Sequence, residues 1–109
     1  MEEAPPPAQS LDVDICWLSA RPLKPGARLL VKHTTRRERG VVDRIVYRRD
    51  VNSGEVRDAG ELALNDLGRA HLRLAGPVFV RPYARSRTLG SLILIDEASA
   101  ETVGAAMVL

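Results

Sequence analysis

One short segment holds the residue types best suited to bind an anionic ligand, Arg81-Pro82-Tyr83-Ala84-Arg85-Ser86-Arg87. It places three guanidinium groups around one aromatic ring. Guanidinium forks match phosphate and carboxylate groups, and a tyrosine ring can stack on a planar ligand. The alternative is structural, with Tyr83 covering one end of the fold and the arginines solvated. The segment therefore supplies three candidate interface residues, Tyr83, Arg85 and Arg87.

Trp17, the single tryptophan of the chain, allows the same two interpretations. A large apolar ring with one N–H donor is a common core residue, and it is also a frequent anchor of protein–protein interfaces. Trp17 is therefore the fourth candidate interface residue, and a core position is the alternative for it.

No motif of the chain predicts catalysis or nucleotide binding. The phosphate-binding P-loop pattern is absent and no lysine follows Lys32, so a GTP site would have to lie outside this segment. His33 and His71 are isolated, and a single cysteine, Cys16, does not complete a tetrahedral metal site. We therefore predict no catalytic, cofactor-binding or metal-binding residue, and we interpret Cys16 as a structural thiol.

The composition is that of one ordinary globular domain. The chain has 109 residues, of which 45% are hydrophobic and 28% charged. No apolar run approaches the roughly 20 residues that cross a membrane, and the first residues lack the basic-then-apolar order of a signal peptide. One cysteine forms no internal disulfide, which favours a reduced, cytoplasmic location.

Positive charge is concentrated in the first half of the chain, although the net charge is only +2. Arg21 to Arg49 contains ten lysines and arginines against two acidic residues, Glu38 and Asp43. This excess predicts a basic face for a phosphate-bearing or acidic partner, or else a solvated surface in an arginine-rich protein.

Hydrophobic residues recur with a period of two, which is typical of half-buried strands. The first strand is predicted from Leu11 to Trp17, after a proline-rich linker over residues 1–10, so that the domain covers residues 11–109. Further strands are predicted over Leu29–Lys32, Val41–Arg48, Ala70–Leu74, Val78–Val80, Gly90–Ile95 and Thr102–Leu109.

Turn and loop signals separate the predicted strands at short intervals. They are Lys24-Pro25-Gly26, the polar connection Thr34–Gly40, Asn52-Ser53-Gly54, Asn65-Asp66, Gly76-Pro77 and the hairpin-like segment Arg81–Thr88. Six or seven short strands without an amphipathic helix predict an all-β fold. We expect a closed antiparallel barrel rather than a sandwich, because closure removes exposed edges.

Five motifs occur in an order that spans nearly the whole chain. They are Ile15-Cys16-Trp17-Leu18 with Pro22-Leu23-Lys24-Pro25-Gly26, then Ile45–Asn52, Leu64–Gly68, Tyr83–Ser91 leading into Leu92–Asp96, and Thr102–Val108. In this order they resemble the C-terminal, third domain of the sulfate adenylyltransferase large subunit CysN, which also occurs fused to an adenylylsulfate kinase as CysN/CysC. The closing strand also resembles that of the third domain of elongation factor Tu. The resemblance implies a six- to seven-stranded antiparallel Greek-key barrel.

Three positions depart from the pattern of that family. Ala106 stands where a glycine is expected, Arg49 where an apolar residue is frequent, and Leu92 where an aromatic residue is frequent. None of these departures removes a catalytic group, because the resemblance implies that the GTP site lies in the first domain of the parent chain.

The resemblance implies a non-catalytic domain of a GTP-driven enzyme, excised from a longer chain. The parent enzyme converts ATP and sulfate to adenylyl sulfate and pyrophosphate and uses GTP hydrolysis to drive this unfavourable step. GTP with Mg²⁺ and ATP are therefore the implied cofactors of the parent enzyme, with none bound in this segment. The expected partners are the GTPase and second domains of the parent chain and the small catalytic subunit, CysD.

Two other hypotheses remain open. The likeness to elongation factor Tu and the basic stretch from Arg21 to Arg49 suggest a translation-factor-type barrel that binds RNA, with an affinity that falls steeply with salt. An independent small enzyme is the third hypothesis, and no motif of the chain supports it.

Overall fold

The computed structural model describes residues 7–34, 36–49, 53–57, 60–80 and 82–109. Strands account for almost all of the regular structure in this part of the chain. The elements are β1 (Pro7–Trp17), β2 (Arg28–His33), β3 (Arg36–Arg49), β4 (Val56–Arg57), β5 (Leu67–Phe79), α1 (Arg87–Gly90), β6 (Ser91–Asp96) and β7 (Thr102–Val108).

Six of these described strands close into an antiparallel barrel. Their hydrogen-bonded order is β2-β6-β7-β1-β5-β3, and β3 pairs back with β2 to complete the ring. Among the described residues, the short strand β4 pairs only with β3, at the C-terminal end of β3. The chain crosses from β1 to β2 and from β5 to β6 between strands that are not neighbours, as in a Greek key. The predicted all-β barrel is confirmed.

The core lies between the inward faces of these strands. β1 buries every second residue from Leu11 to Trp17, and β5 does so from Ala70 to Leu74. This period of two confirms the strand predictions for both segments. Among the buried residues that the structure describes, aliphatic side chains dominate, and Trp17 is the largest of the buried side chains.

Gly68 on β5 lies against the segment around Leu62, which covers one end of the barrel. A Cβ atom at this position would lie 2.7 Å from the Tyr47 carbonyl oxygen and 2.5 Å from Leu62 Cδ2. Leu62 is fully buried, and its backbone pairs with that of Leu23 in an isolated bridge. A residue without a side chain is therefore needed for Leu62 to pack over this end.

The prediction of a loop over Thr34–Gly40 is wrong from Arg36 onwards. Residues 36–40 belong to β3 and pair one by one with β2, from His33 opposite Arg36 to Leu29 opposite Gly40. The arginines of this segment are exposed, and an outward strand position accepts a charged side chain as readily as a loop does.

Gly76-Pro77 does not end β5, in contrast to the predicted turn. The strand continues to Phe79, but its pairing with β3 stops at Leu74, and its pairing with β1 shifts register between Arg73 and Val78, across this dipeptide. Beyond Leu74 the described structure shows no ladder on one edge of β5. A proline, which has no N–H group to donate, is tolerated where the ladder is irregular and one edge is unpaired.

The segment Arg81–Thr88 is a crossover and not the predicted hairpin-like connection. β5 and β6 do not pair with each other, and the chain between them passes through the single turn of α1, Arg87–Gly90. Arg81 itself lies outside the described residues. A polar stretch between two apolar runs does not reveal whether these runs are neighbours, because pairing is decided by the closure of the whole barrel.

β1 begins within the segment predicted as a linker. Pro7 and Ala8 pair with Phe79 and Val78, and the register shifts before Ser10. Residues 1–6 lie outside the described part of the chain, so the linker remains a prediction for them.

A compact turn, residues 96–101, joins β6 to β7. The Asp96 carboxylate accepts the Ala98 N–H at 3.2 Å and the Ser99 hydroxyl at 2.9 Å. These bonds, the one from Ala98 first, hold the pKa of Asp96 below its ordinary value of 3.8. The ionised carboxylate therefore favours the folded state above that value, and this stabilisation is lost as the pH falls through the lower, folded-state pKa.

We expect Ser99→Ala to raise the pKa of Asp96 without restoring it to 3.8, because the bond from the Ala98 N–H remains. An NMR titration of the carboxyl resonance measures this pKa directly. Ser10→Ala, at an exposed position of β1, is the control and should leave the Asp96 titration unchanged. An unchanged Asp96 pKa in the Ser99 variant would contradict the role given to this hydroxyl.

Candidate interface surface

The segment Pro82–Gly90, here called the crossover turn, is organised by its own backbone. The N–H groups of Arg85 and Ser86 donate to the Pro82 carbonyl at 2.9 and 3.1 Å. Ser86 then caps α1, because its hydroxyl oxygen accepts the Leu89 N–H at 3.2 Å. The crossover turn therefore has a defined conformation without a regular strand.

Among the described residues, two hydrogen bonds between positions far apart in the sequence attach the crossover turn to the barrel. The Tyr83 N–H donates to the Val108 carbonyl at 2.8 Å, at the end of β7. On the other side, His33 Nε2 lies 3.0 Å from the Leu89 carbonyl oxygen, and His33 is only 4% exposed. Because a carbonyl oxygen only accepts, Nε2 must carry the proton in this bond. The buried histidine thus ties the end of β2 to the crossover turn.

Arg85 and Arg87 project from this base into solvent, and Tyr83 beside them is half-buried. Neither arginine has an acidic partner among the residues that the structure describes. The structure therefore brings three of the four candidate interface residues together. Two free guanidinium groups on a firmly attached turn can contact carboxylate or phosphate groups of a partner.

Trp17 lies at the opposite end of the barrel and in the core. Its register partner on β7 is Gly104, whereas Tyr83 is bound at Val108, about 13 Å away along the strand. The indole is 4% exposed, its Nε1–H donates to the Arg21 carbonyl at 2.6 Å, and Gly104 leaves room for its ring. Of the two interpretations of Trp17, this position favours the core residue.

Charge pairs cover the outer face of β1 and β5, and spacing along the sequence did not predict them. Arg69 donates to Asp14 at 3.0 Å and lies 5.2 Å from the Tyr47 ring centroid. The bond to Asp14 raises the pKa of Arg69 above its ordinary value. His71 also points away from the core, and its Nδ1 lies 2.9 Å from an Asp12 carboxylate oxygen. These partners are more than fifty residues apart in the chain, and only the β1–β5 register aligns them.

Metal-ligating side chains do not gather in the part of the chain that the structure describes. No group of three or more His, Cys, Asp or Glu residues is close enough there to hold an ion. Cys16 is a partly exposed free thiol on β1. None of the described helices is long and apolar enough to cross a membrane.

Comparison with known proteins finds a matching family model and several curated relatives. A family model described as GTP-eEF1A C-terminal domain-like matches residues 10–109. The chain is 38% identical over 107 residues to sulfate adenylyltransferase subunit 1 of Aliarcobacter butzleri, covering 98% of the chain and 23% of that protein. It is 38% identical over 105 residues to the bifunctional enzyme CysN/CysC of Rhodopirellula baltica, covering 94% of the chain and 16% of that protein. The chain thus spans about a fifth of the length of these curated relatives.

Solved structures share the barrel. Sup35 complexed with GDP has a TM-score of 0.84 over 94% of this chain and 25% of that chain, at 16% identity. The Ski7 GTPase-like domain of S. cerevisiae bound to GTP has a TM-score of 0.66 over 94% of this chain and 20% of that chain, at 9% identity. At such identities the likeness establishes the fold alone, and it confirms the kind of barrel expected from the sequence.

Proposed function

This chain belongs to the GTP-eEF1A C-terminal domain-like family, and on that premise we propose that it is the C-terminal barrel of a sulfate adenylyltransferase large subunit, CysN. The observation that carries the proposal is the likeness to subunit 1 of that enzyme. Identity is 38–42% over 92–98% of the chain in relatives from several bacteria. The domain serves the reaction without containing its active site.

The parent reaction transfers an adenylyl group. A sulfate oxygen attacks the α-phosphorus of ATP, the bond to the β-phosphate breaks, and adenylyl sulfate and pyrophosphate are released. We assign this transfer to the small subunit CysD and the binding of GTP and Mg²⁺ to another domain of the large subunit. We expect the whole assembly in the cytoplasm, which agrees with a chain whose single cysteine is a free thiol.

The contribution of this barrel is to couple the GTPase domain to the catalytic subunit. A rigid domain couples two sites only when it makes different contacts in the two nucleotide states. The crossover turn suits such a contact, because it is held at both sides by His33 and Val108 while Arg85 and Arg87 remain exposed. Tyr83 adds a partly exposed ring to the same surface.

The test measures binding of the chain to CysD and, separately, to the GTPase portion of the large subunit. We expect R85Q/R87Q to weaken one of these interactions by at least about tenfold, or about 1.4 kcal/mol. In the assembled enzyme the same variant should lower GTP-stimulated turnover and leave turnover without GTP unchanged. The control variant K24Q/R49Q removes the same charge elsewhere on the barrel and should retain binding.

Two results would contradict this function. If the wild-type chain is shown by circular dichroism to be folded and binds neither CysD nor the GTPase portion, the coupling role is wrong. If R85Q/R87Q binds and couples as the wild type does, the crossover turn is not the contact. Equal losses of binding in R85Q/R87Q and in the control variant would show that overall charge, and not the crossover turn, causes the effect.

A further inference from the structure

A shallow groove of about 370 Å³ lies on the outer face of β2, β3 and β5, away from the crossover turn. We call it the arginine groove. Three guanidinium groups line it, together with a small apolar floor and one carboxylate. Its principal residues are Arg28, Arg39, Val41, Arg73, Ala75 and Glu97.

The strand register places these arginines side by side. Arg28 on β2 lies opposite Val41 on β3, and Val41 lies opposite Arg73 on β5. Direct partners in adjacent strands point to the same face, so the two arginines flank Val41 with their Cα atoms about 10 Å apart. Arg39 lies two residues before Val41 on the same face of β3. The arrangement is held by the barrel wall and does not depend on a loop.

Positive charge continues beyond the groove along β2 and β3. Lys32 on β2 lies directly opposite Arg37 on β3, and no carboxylate bridges these two among the described residues. Like charges opposite one another destabilise a ladder. A partner that brings negative charge to this face would relieve that repulsion.

The carboxylates near the groove neutralise it only weakly. Arg39 lies 3.8 Å from Glu97 and Arg73 lies 3.6 Å from Asp43, both longer than a good charge-assisted hydrogen bond. The two arginine side chains are 77% and 67% exposed, so solvent screens both pairs. Arg28 has no acidic partner in the described residues. The groove therefore has guanidinium groups available for a ligand.

From this geometry we infer that the arginine groove docks an extended acidic segment of a partner protein. Carboxylates two residues apart on an extended chain lie on the same face about 7 Å apart, and the long side chains of Arg28 and Arg73 can converge on them from Cα positions about 10 Å apart. The exposed side chain of Val41 between them offers an apolar contact, as in protein interfaces. None of the described side chains that line the groove is aromatic, so it lacks the stacking platform typical of single-stranded nucleic-acid sites.

The probe is a fluorescein-labelled octapeptide of alternating glutamate and alanine, and binding is followed by fluorescence anisotropy at low salt. We expect R28Q/R73Q to weaken binding about fivefold to tenfold, since two exposed ion pairs are removed. The control variant K24Q/R49Q should change it less than about twofold. The measurement needs neither ATP nor sulfate, so its result is independent of the adenylyltransferase proposal.

Glu97→Gln supplies a test with the opposite sign. Removing this carboxylate frees Arg39, and we expect the peptide to bind about twofold to threefold more tightly. A role of Glu97 in stability alone would leave the peptide affinity unchanged, and that result would count against a groove that recognises carboxylates.

An octamer of uridine, labelled in the same way, decides between protein and RNA. Tighter binding of the RNA than of the peptide, lost in R28Q/R73Q, would overturn the inference in favour of a nucleic-acid partner. Equal losses in R28Q/R73Q and in K24Q/R49Q, or no peptide binding by the folded wild-type chain, would overturn it as well. Weaker binding of RNA than of peptide, with the loss confined to R28Q/R73Q, is the expected result.

Discussion

Replacing Gly68 by alanine is expected to lower the free energy of unfolding by about 2–3 kcal/mol. The added methyl group would lie 2.7 Å from the Tyr47 carbonyl oxygen and 2.5 Å from Leu62 Cδ2, closer than atoms of the core pack. The Tyr47 oxygen belongs to the backbone of the neighbouring strand β3, so it moves only if the ladder between β3 and β5 is distorted. Urea unfolding followed by circular dichroism measures the loss.

Gly60→Ala is the matched control, because nothing lies within 4 Å of the position that its Cβ would occupy. We expect that variant to change the free energy of unfolding by less than about 0.5 kcal/mol. Leu62→Ala alone should destabilise by about 2–5 kcal/mol, since Leu62 is fully buried.

The double variant G68A/L62A tests the cause of the effect. Truncating Leu62 removes one of the two clashes, so the double variant should be more stable than the sum of the single losses predicts. Strict additivity would show that the methyl group added at position 68 does not displace Leu62, and the explanation given for Gly68 would then be wrong.

Trp17→Ala is the second large effect, an expected loss of about 3–5 kcal/mol of stability. The indole is buried and fills the end of the barrel, packing where Gly104 leaves space on β7. Trp17→Phe keeps part of this volume but leaves the Arg21 carbonyl without the Nε1–H donor, which lies 2.6 Å away. An unpaired polar group and a partly unfilled space should reduce that variant's stability by about 1–3 kcal/mol.

Leu18→Ala is the control for Trp17, because the neighbouring side chain is 47% exposed and contributes little burial. We expect it to change stability by less than about 1 kcal/mol. Circular dichroism must follow the unfolding, since the variants of Trp17 contain no other tryptophan. A Trp17→Ala variant that keeps wild-type stability and yet loses partner binding would restore Trp17 as an interface residue.

These stability predictions bear on function because the proposed contacts depend on the barrel. The crossover turn is attached through buried His33, and the arginine groove is held in place by the pairing of β2, β3 and β5. Side chains that are positioned by rigid elements lose less conformational freedom on binding. Loss of binding in a destabilised variant therefore says nothing about a surface, whereas loss in R85Q/R87Q or R28Q/R73Q does, provided that the variant is folded.

Local sequence was sufficient to predict a strand where apolar residues alternate, and a turn where the residue types favour one backbone conformation. The alternation from Leu11 to Trp17 and from Ala70 to Leu74 predicted inward faces that the structure confirms. Lys24-Pro25-Gly26 predicted a turn, and Gly26 has a φ of +88°, which a glycine adopts without strain. Local sequence was misleading at Gly76-Pro77, because this dipeptide is typical of a turn, and only the strand pairing shows that β5 resumes after an irregularity.

The sequence by itself determined that this chain forms strands, that it closes them into an aliphatic core, and that it lacks the motifs of a nucleotide site. These properties follow from side-chain period, composition and short motifs, which act over a few residues. Only the tertiary structure decided which side chains meet across the barrel, from the separation of Trp17 and Tyr83 to the alignment of Arg28 with Arg73. The physical reason is that strand order and register depend on closing the whole ring, and a shift of one residue would turn every outward arginine inward.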